Sequence, residues 1–344
     1  RSERINYYGR TDVKEDGVYC YFPSTSAEVH FKGTEIYAKF SADIVWGTAA
    51  LGYVIDGRMG RIPLHKDNNK KEMTCQIANS LEPDKEHTLI LYKMQAASTI
   101  IAVKGFSCDG EFLSAPEKPA LKLEYYGDSV SAGEVTEAYD FVGRCDPASH
   151  DSAYDNSYLS YTWQTARLLD AQLCNISQGG IAVFNDTGYF HAPKMIGMES
   201  VYDKLCYFPE GGELTDWDFS KYTPDIAVFA LGQNDPHNGI TDKNDIDIFD
   251  PATRTKWKEG YKKIVKSIHS HYGNSTKYVF LTTVLMHDAE WDKAIDEVVN
   301  ELKAEGIPAY HMLFKRNGDA TPGHPRYQEH KEMAEELAAF LRGI

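Results

Sequence analysis

A serine, an asparagine and a histidine, widely spaced along the chain, are of the residue types that acyl transfer requires. They are Ser129 in "EYYGDSVSAGE", Asn234 in "ALGQNDPHN" and His324 in "DATPGHPRY". A serine hydroxyl becomes a strong nucleophile when a neutral imidazole takes its proton. The resulting oxyanion needs hydrogen-bond donors that are already in place, such as an amide side chain and backbone N–H groups. Taken alone, Ser129 is equally compatible with a hydroxyl that caps a helix, so the interpretation depends on the rest of the chain.

The elements that must position these residues alternate between strands and helices from Leu121 onward. The predicted strands are 121–126, 172–177, 225–231, 277–283 and 309–313, and the predicted helices are 157–171, 257–272, 290–305 and 326–342. Such alternation predicts a parallel sheet covered by helices on both faces. Ligands bind at the carboxyl ends of the strands in these sheets. Ser129 follows the first strand, Gly180 the second, Asn234 the third and His324 the fifth, so we expect all four at one edge.

The chain before this region has a different pattern. Up to Pro119 it consists of short alternating runs such as "AEVHFKG" and "HTLILYKM", separated by turn residues. Asp56-Gly57 between two such runs indicates a two-residue hairpin. The sequence therefore predicts an all-β sandwich or jelly-roll domain over 1–119 and a three-layer α/β/α domain over 120–344, with "SAPEKPA" as the linker. It leaves open whether the β domain binds glycan or only shapes the cleft.

The charge balance limits the classes of partner. The 344 residues carry 51 acidic and 36 basic side chains, for a formal net charge of −15. An acidic surface repels phosphate backbones and anionic lipid, so we expect no nucleic-acid or membrane partner. A neutral substrate such as a sugar ester is compatible with this charge. No apolar run approaches the roughly 20 residues of a membrane span.

The six cysteines have no CxxC spacing, which favours ordinary thiols over a zinc site or a disulfide scaffold. Together with the absence of a visible signal peptide, this favours a cytoplasmic location, and a secreted protein whose signal has been removed is the alternative. We predict no metal site, and no nucleotide cofactor because no P-loop or GxGxxG motif follows a strand. The sequence does not decide the oligomeric state, and a homo-oligomer is compatible with it.

Four short blocks resemble those of the SGNH, or GDSL-type, hydrolases. They are "GDS" at 127–129, the glycine of "SQGG" at Gly180, "GQND" at 232–235 and "HP" at 324–325, in the order found in that family. The resemblance implies that Ser129 is the nucleophile and His324 the base. It also implies an oxyanion hole formed by the Ser129 N–H, the Gly180 N–H and the Asn234 side chain.

An all-β domain before such a hydrolase domain further resembles carbohydrate esterase family 2. The resemblance implies removal of acetyl groups from acetylated xylan-type or related plant cell-wall saccharides, through an acetyl-enzyme and without a metal or organic cofactor. Two alternatives stay open. One is an SGNH esterase, lipase or thioesterase that acts on another acyl group, and the other is a carbohydrate-binding protein without activity.

The sequence departs from the SGNH pattern at one position. The usual aspartate three residues before the histidine is replaced by Thr321. We therefore expect a Ser-His dyad in which a backbone carbonyl, such as that of Pro322, orients His324. Asp319 is the alternative orienting group.

Aromatic side chains are candidates for a platform that stacks on sugars. Trp291 follows the fourth strand at the expected edge and is the preferred candidate, and Tyr189 is another. Trp217 and Trp257 are also candidates, although the position of Trp257 on a predicted helix favours core packing.

Overall fold

The computed structural model describes residues 3–237, 246–281, 289–315 and 322–344. Within them, the chain forms two antiparallel sheets followed by a parallel sheet with helices on both faces. This confirms the predicted fold class. The antiparallel part ends at Phe112 and the first parallel strand begins at Leu121.

The antiparallel part is a sandwich of two sheets. Its strands are β1 Ile5–Tyr8, β2 Thr11–Lys14, β3 Gly17–Cys20, β4 Ser26–Lys32, β5 Ile36–Ile44, β6 Ala49–Ile55, β7 Arg58–Leu64, β8 Glu72–Ala78, β9 His87–Lys93, β10 Thr99–Cys108 and β11 Glu111–Phe112. One sheet has the order β1-β4-β9-β6-β7, with β11 beside β4, and the other has the order β2-β3-β10-β5-β8. In β5, alternate residues from Ile36 to Ile44 are buried, as expected where one face of a strand packs on the core. The predicted hairpin joins β6 to β7, where Ile55 pairs with Arg58.

The parallel part has five strands and, in the described residues, five α-helices. The strands are β12 Leu121–Gly127, β13 Ala171–Ser177, β14 Ile226–Ala230, β15 Lys277–Leu281 and β16 Ala309–Met312. The helices are α1 Ser129–Ala132, α2 Tyr161–Leu168, α3 Pro251–Tyr272, α4 Ala289–Ala304 and α5 Tyr327–Leu341. All neighbouring strands are parallel, in the order β13-β12-β14-β15-β16. This order reverses direction between β12 and β14, and a crevice opens at such a point beyond the carboxyl ends of the strands.

Helices α3 and α4 pack together, and so do α2 and α5. Their buried residues belong to two separate apolar clusters, which indicates that the two pairs cover opposite faces of the sheet. On α5, His330, Met333 and Leu337 are among the buried residues, as expected for one face of a helix that packs on the core. Among the helices in the described ranges, none is both long and apolar enough to cross a bilayer.

The two domains share a core rather than meeting through a thin linker. Phe22 of the β domain stacks on Tyr207 with ring centroids 4.3 Å apart. Arg10 is fully buried, and its guanidinium donates to the carbonyl of Tyr202 at 2.8 Å and pairs with Glu124 at 3.3 Å. Because a paired, buried charge tolerates little displacement, these contacts fix the position of the β domain relative to the crevice.

Candidate active site

Ser129 lies directly after β12, at the point where the strand order reverses. The preceding residue, Asp128, caps α1 by accepting a hydrogen bond from the Val130 N–H at 3.1 Å. The other carboxylate oxygen of Asp128 accepts from Nε2 of Gln233 at 2.6 Å, which links the end of β12 to the loop after β14. Burial raises the pKa of Asp128 to about 6. The residue therefore holds the serine turn in place.

His324 comes just before α5 and reaches the serine. Its Nε2 lies 2.8 Å from the Oγ of Ser129. Ser129 is 3% exposed, so the hydroxyl is largely shielded from bulk water. This distance is within hydrogen-bond reach and is the geometry in which an imidazole can take the proton of a serine hydroxyl.

A carboxylate completes the arrangement on the other side of the imidazole. Nδ1 of His324 lies 2.6 Å from Oδ2 of Asp146, and the backbone N–H of His324 donates to Oδ1 at 3.1 Å. The guanidinium of Arg326 contacts the same Oδ1 at 2.8 Å. Burial acts to raise the pKa of Asp146, but the hydrogen bond from His324 and the contact with Arg326 hold it at about 2. Asp146 is therefore ionised at neutral pH.

The prediction that the Pro322 carbonyl orients His324 is wrong, because Asp146 occupies the Nδ1 hydrogen bond. The expected Ser-His pair is present, and Asp146 extends it to a Ser-His-Asp arrangement. Asp319 and Thr321 lie outside the described residues. Asp146 belongs to the irregular connection between α1 and α2, in which no periodic pattern reveals the direction of a side chain, and its only sequence signal is the abundance of aspartate there.

Gly323 makes room for this carboxylate. Its φ is +139°, and a Cβ added there would lie 2.6 Å from Oδ1 of Asp146. Any residue other than glycine would therefore strain the backbone and displace the carboxylate. The presence of Gly323 in the "TPGHP" stretch is therefore explained by its close contact with Asp146, which is far away in the sequence.

The surroundings of His324 favour its charged form. Burial acts to lower the pKa of His324, but the hydrogen bond to Asp146 and the negative charge of that carboxylate raise it above its ordinary value. Glu134 lines the same cleft, and its own pKa is raised by burial and by the neighbouring Asp155. The site therefore stabilises the imidazolium that forms when His324 accepts the proton of Ser129.

Gly180 and Asn234 line the cleft beside Ser129 and His324. Nδ2 of Asn234 donates to the carbonyl of Ile181 at 2.9 Å, which fixes the amide close to the loop that carries Gly180. Asp235 strengthens this link by accepting from the Val183 N–H at 2.9 Å. The loops after β13 and β14 thus bring together the residues that were expected from the sequence to be oxyanion donors.

The cleft has a volume of about 790 Å³. Tyr189 lines it and is 48% exposed, as a stacking residue requires. The prediction for Trp291 is wrong, because this side chain is 5% exposed and packs edge-to-face on Trp257 with centroids 4.9 Å apart. Trp291 shares the buried face of α4 with Ile295, and that helical stripe was visible in the sequence.

The β domain also contributes side chains to this cleft, although the sequence alone did not identify which ones. Val45, Trp46 and Ala97 all line it, together with His150 from the irregular connection. Trp217, another aromatic candidate, is 8% exposed and lies over Arg10 in the core. In the ranges that the structure describes, no group of three or more His, Cys, Asp or Glu side chains is arranged to hold a metal ion.

The sequence of this chain is similar to those of known proteins over both domains. Residues 7–116 match the family model of the carbohydrate esterase 2 N-terminal domain. The chain is 27% identical to the cellulase/esterase CelE of Acetivibrio thermocellus, over 98% of this chain and 39% of that protein. It is 23% identical to the acetylxylan esterase / glucomannan deacetylase of Cellvibrio japonicus, over 99% of this chain and 88% of that protein.

The fold of this chain is also similar to that of a solved carbohydrate esterase structure. The chain superposes on a family two carbohydrate esterase from Clostridium thermocellum, in complex with cellohexaose, with a TM-score of 0.82 and 26% identity over 98% of both chains. The chain spans about two fifths of the length of CelE. Both of its domains resemble those of carbohydrate esterase family 2, which confirms the resemblance stated from the sequence.

Proposed function

We propose that this protein is a serine esterase that removes acetyl groups from acetylated plant cell-wall polysaccharides of the xylan type. The observation that carries the proposal is the continuous hydrogen-bonded series from Ser129 through His324 to Asp146 at the edge of an open cleft. The resemblance to carbohydrate esterases supports the substrate class.

In the first half of the reaction, Oγ of Ser129 attacks the acetyl carbonyl carbon while Nε2 of His324 takes the hydroxyl proton. Asp146 stabilises the resulting imidazolium and keeps Nδ1 protonated, so that Nε2 is the nitrogen that accepts. The tetrahedral intermediate then breaks its bond to the sugar oxygen. His324 returns the proton to that oxygen, which leaves a free sugar hydroxyl and an acetyl group on Ser129.

In the second half, His324 takes a proton from water, and the hydroxide formed attacks the acetyl-enzyme. Collapse of this second tetrahedral intermediate breaks the bond to Oγ of Ser129, to which His324 returns the proton. Acetic acid leaves, loses its remaining proton to water to become acetate, and the free serine is restored. In each half, we assign stabilisation of the oxyanion to the Ser129 N–H, the Gly180 N–H and the Asn234 amide.

The cleft suits a saccharide better than a long acyl chain. Its lining combines aromatic and apolar residues such as Tyr189 and Phe190 with polar ones such as Gln178 and His191. A sugar presents apolar C–H faces and polar hydroxyls together, and this mixed lining matches both. The formal net charge of −15 is compatible with a neutral polysaccharide.

Release of acetate from acetylated xylan and acetylated glucomannan, by the wild type and by Ser129→Ala, tests the proposal. Loss of a nucleophile typically lowers the rate by about 10⁴–10⁶. We therefore expect near-complete loss in a variant with an unchanged circular dichroism spectrum. Retention of about a tenth of the wild-type rate would contradict the role of Ser129.

The acyl group is tested separately with 4-nitrophenyl esters of increasing chain length. A deacetylase should have its highest kcat/KM on the acetate ester, with a steep fall toward the octanoate ester. Equal or higher activity on the octanoate ester would favour a lipase or another acyl esterase. Binding of xylohexaose without hydrolysis of any ester would favour a carbohydrate-binding protein.

A further inference from the structure

One large aromatic side chain in the cleft comes from the β domain and has no part in the reaction described above. Trp46 lies in the turn between β5 and β6, is 44% exposed, and lines the cleft that contains Ser129 and His324. Aromatic side chains commonly line ligand-binding clefts, where they supply a large apolar contact surface.

The turn that carries Trp46 is held firmly against the α/β domain. The Thr48 N–H donates to the carbonyl of Asp151 at 2.8 Å. Gly47 has a φ of +68°, and a Cβ at this position would lie 2.6 Å from the same carbonyl oxygen. The backbone of the turn therefore packs directly on the connection that also supplies Asp146.

The other side of the turn is fixed within the β domain. The Val45 N–H donates to the carbonyl of Ser98 at 2.9 Å, and the Trp46 N–H points to the same oxygen at 3.4 Å. These hydrogen bonds anchor the backbone on both sides of Trp46, so little backbone freedom remains to be lost when a ligand contacts the ring. An exposed aromatic side chain on such an anchored backbone is well suited to stacking.

The residues that line the cleft together with Trp46 indicate the kind of ligand that its indole contacts. Ala97 from the same domain adds apolar surface, and His150, Gln178 and Glu134 supply polar groups around the same cleft. The ring of His150 lies 6.5 Å from that of His324, centroid to centroid, so this part of the cleft adjoins the reacting atoms. The acetyl group reacts at Ser129, so the sugar that bears it has to occupy the remaining part of the same cleft, which Trp46 lines.

We propose that Trp46 forms a sugar subsite in which its indole stacks on a pyranose ring of the acetylated polysaccharide. The β domain then contributes directly to recognition of the leaving group. This inference rests on the proposed function, since it assigns the sugar part of the same substrate.

Two measurements on the whole chain test the subsite. The first is the ratio of kcat/KM on acetylated xylotetraose to kcat/KM on ethyl acetate, which has neither a sugar nor an aromatic ring. In Trp46→Ala we expect this ratio to fall about tenfold, because the stacking contact stabilises only the saccharide substrate. Trp46→Phe should recover much of the ratio, since an aromatic face is kept.

The second measurement is calorimetric binding of xylohexaose to the inactive Ser129→Ala protein. Adding Trp46→Ala should weaken this binding by a similar factor of about ten. Phe249→Ala is the matched control, because Phe249 is 66% exposed and is not among the residues that line the cleft. We expect this control to change neither the ratio nor the binding.

The results of these measurements distinguish failure of the Trp46 subsite from failure of the proposed esterase activity. If the ratio and the binding are both unchanged in folded Trp46→Ala, the subsite is wrong although Ser129-dependent deacetylation stands. If no acetate is released by the wild type, the proposed function fails. Loss of xylohexaose binding in Trp46→Ala would in that case still support a saccharide site on the β domain. Equal losses on both substrates would mean that Trp46 acts on the reaction rather than on the sugar, which also contradicts the inference.

Discussion

Nδ1 of His324 donates to the carboxylate of Asp146 at 2.6 Å, although 178 residues separate the two along the chain. The same carboxylate contacts Arg326 and the backbone N–H of His324. His324 is therefore oriented by a charged group that is itself held in place. The activity of the proposed esterase and its dependence on pH should both be sensitive to this contact.

Asp146→Asn should lower kcat by up to about 10⁴, because an amide at this position can favour the wrong imidazole tautomer and cannot stabilise the imidazolium. Steady-state kinetics on 4-nitrophenyl acetate measure the effect. Asp319→Asn is the matched control, for which we expect a loss of less than about tenfold. A loss of about a thousandfold in folded Asp319→Asn, with little loss in Asp146→Asn, would assign the orienting role to Asp319.

The pH profile provides an independent readout. His324 must be neutral to accept a proton, so kcat/KM should rise with pH through the His324 pKa. Asp146 raises that pKa against the effect of burial, which places the midpoint above the ordinary value of about 6.5. Removing the negative charge in Asp146→Asn should move the midpoint to lower pH. A rate independent of pH from about 5 to 8 would contradict the role of His324 as base.

Asn234→Ala should lower kcat by about 10²–10³ with little change in KM, because the amide acts on the oxyanion that develops during the reaction. The side chain also donates to the Ile181 carbonyl at 2.9 Å, so the melting temperature must be measured beside the kinetics. An effect confined to KM would instead make Asn234 a substrate-binding residue.

Gly323→Ala should bring kcat toward that of Asp146→Asn, because the added methyl group would lie 2.6 Å from Oδ1 of Asp146. Gly306→Ala is the matched control. Gly306 also has a positive φ, of +86°, but nothing lies within 4 Å of a Cβ at that position. The control should therefore lose about 1 kcal/mol of stability and keep its activity. Equal kcat values for the two variants would show that the close approach of Gly323 to Asp146 has no catalytic consequence.

Local patterns along the chain were enough to predict the fold and the residues at the strand ends. Period-two and helical patterns depend on near neighbours, so most strands and helices of the parallel domain were predicted to within a few residues of their observed ends. Parallel strands then place their carboxyl ends at one edge, which is why Ser129, Gly180 and Asn234 could be expected near each other from the sequence alone.

Long-range packing decided which side chains reach the site from irregular segments. Asp146 and Trp46 lie in a long connection and a turn, where no repeating pattern fixes the direction of a side chain. Their positions depend on contacts between distant parts of the chain, such as Gly323 against Asp146 and Gly47 against the Asp151 carbonyl. Trp291 is the opposite case. The helical period of α4 already indicated that the Trp291 side chain is buried, and its position close to a strand end was the weaker indication. Local periodicity thus determines elements and their buried faces, whereas the tertiary structure determines how irregular loops complete a site.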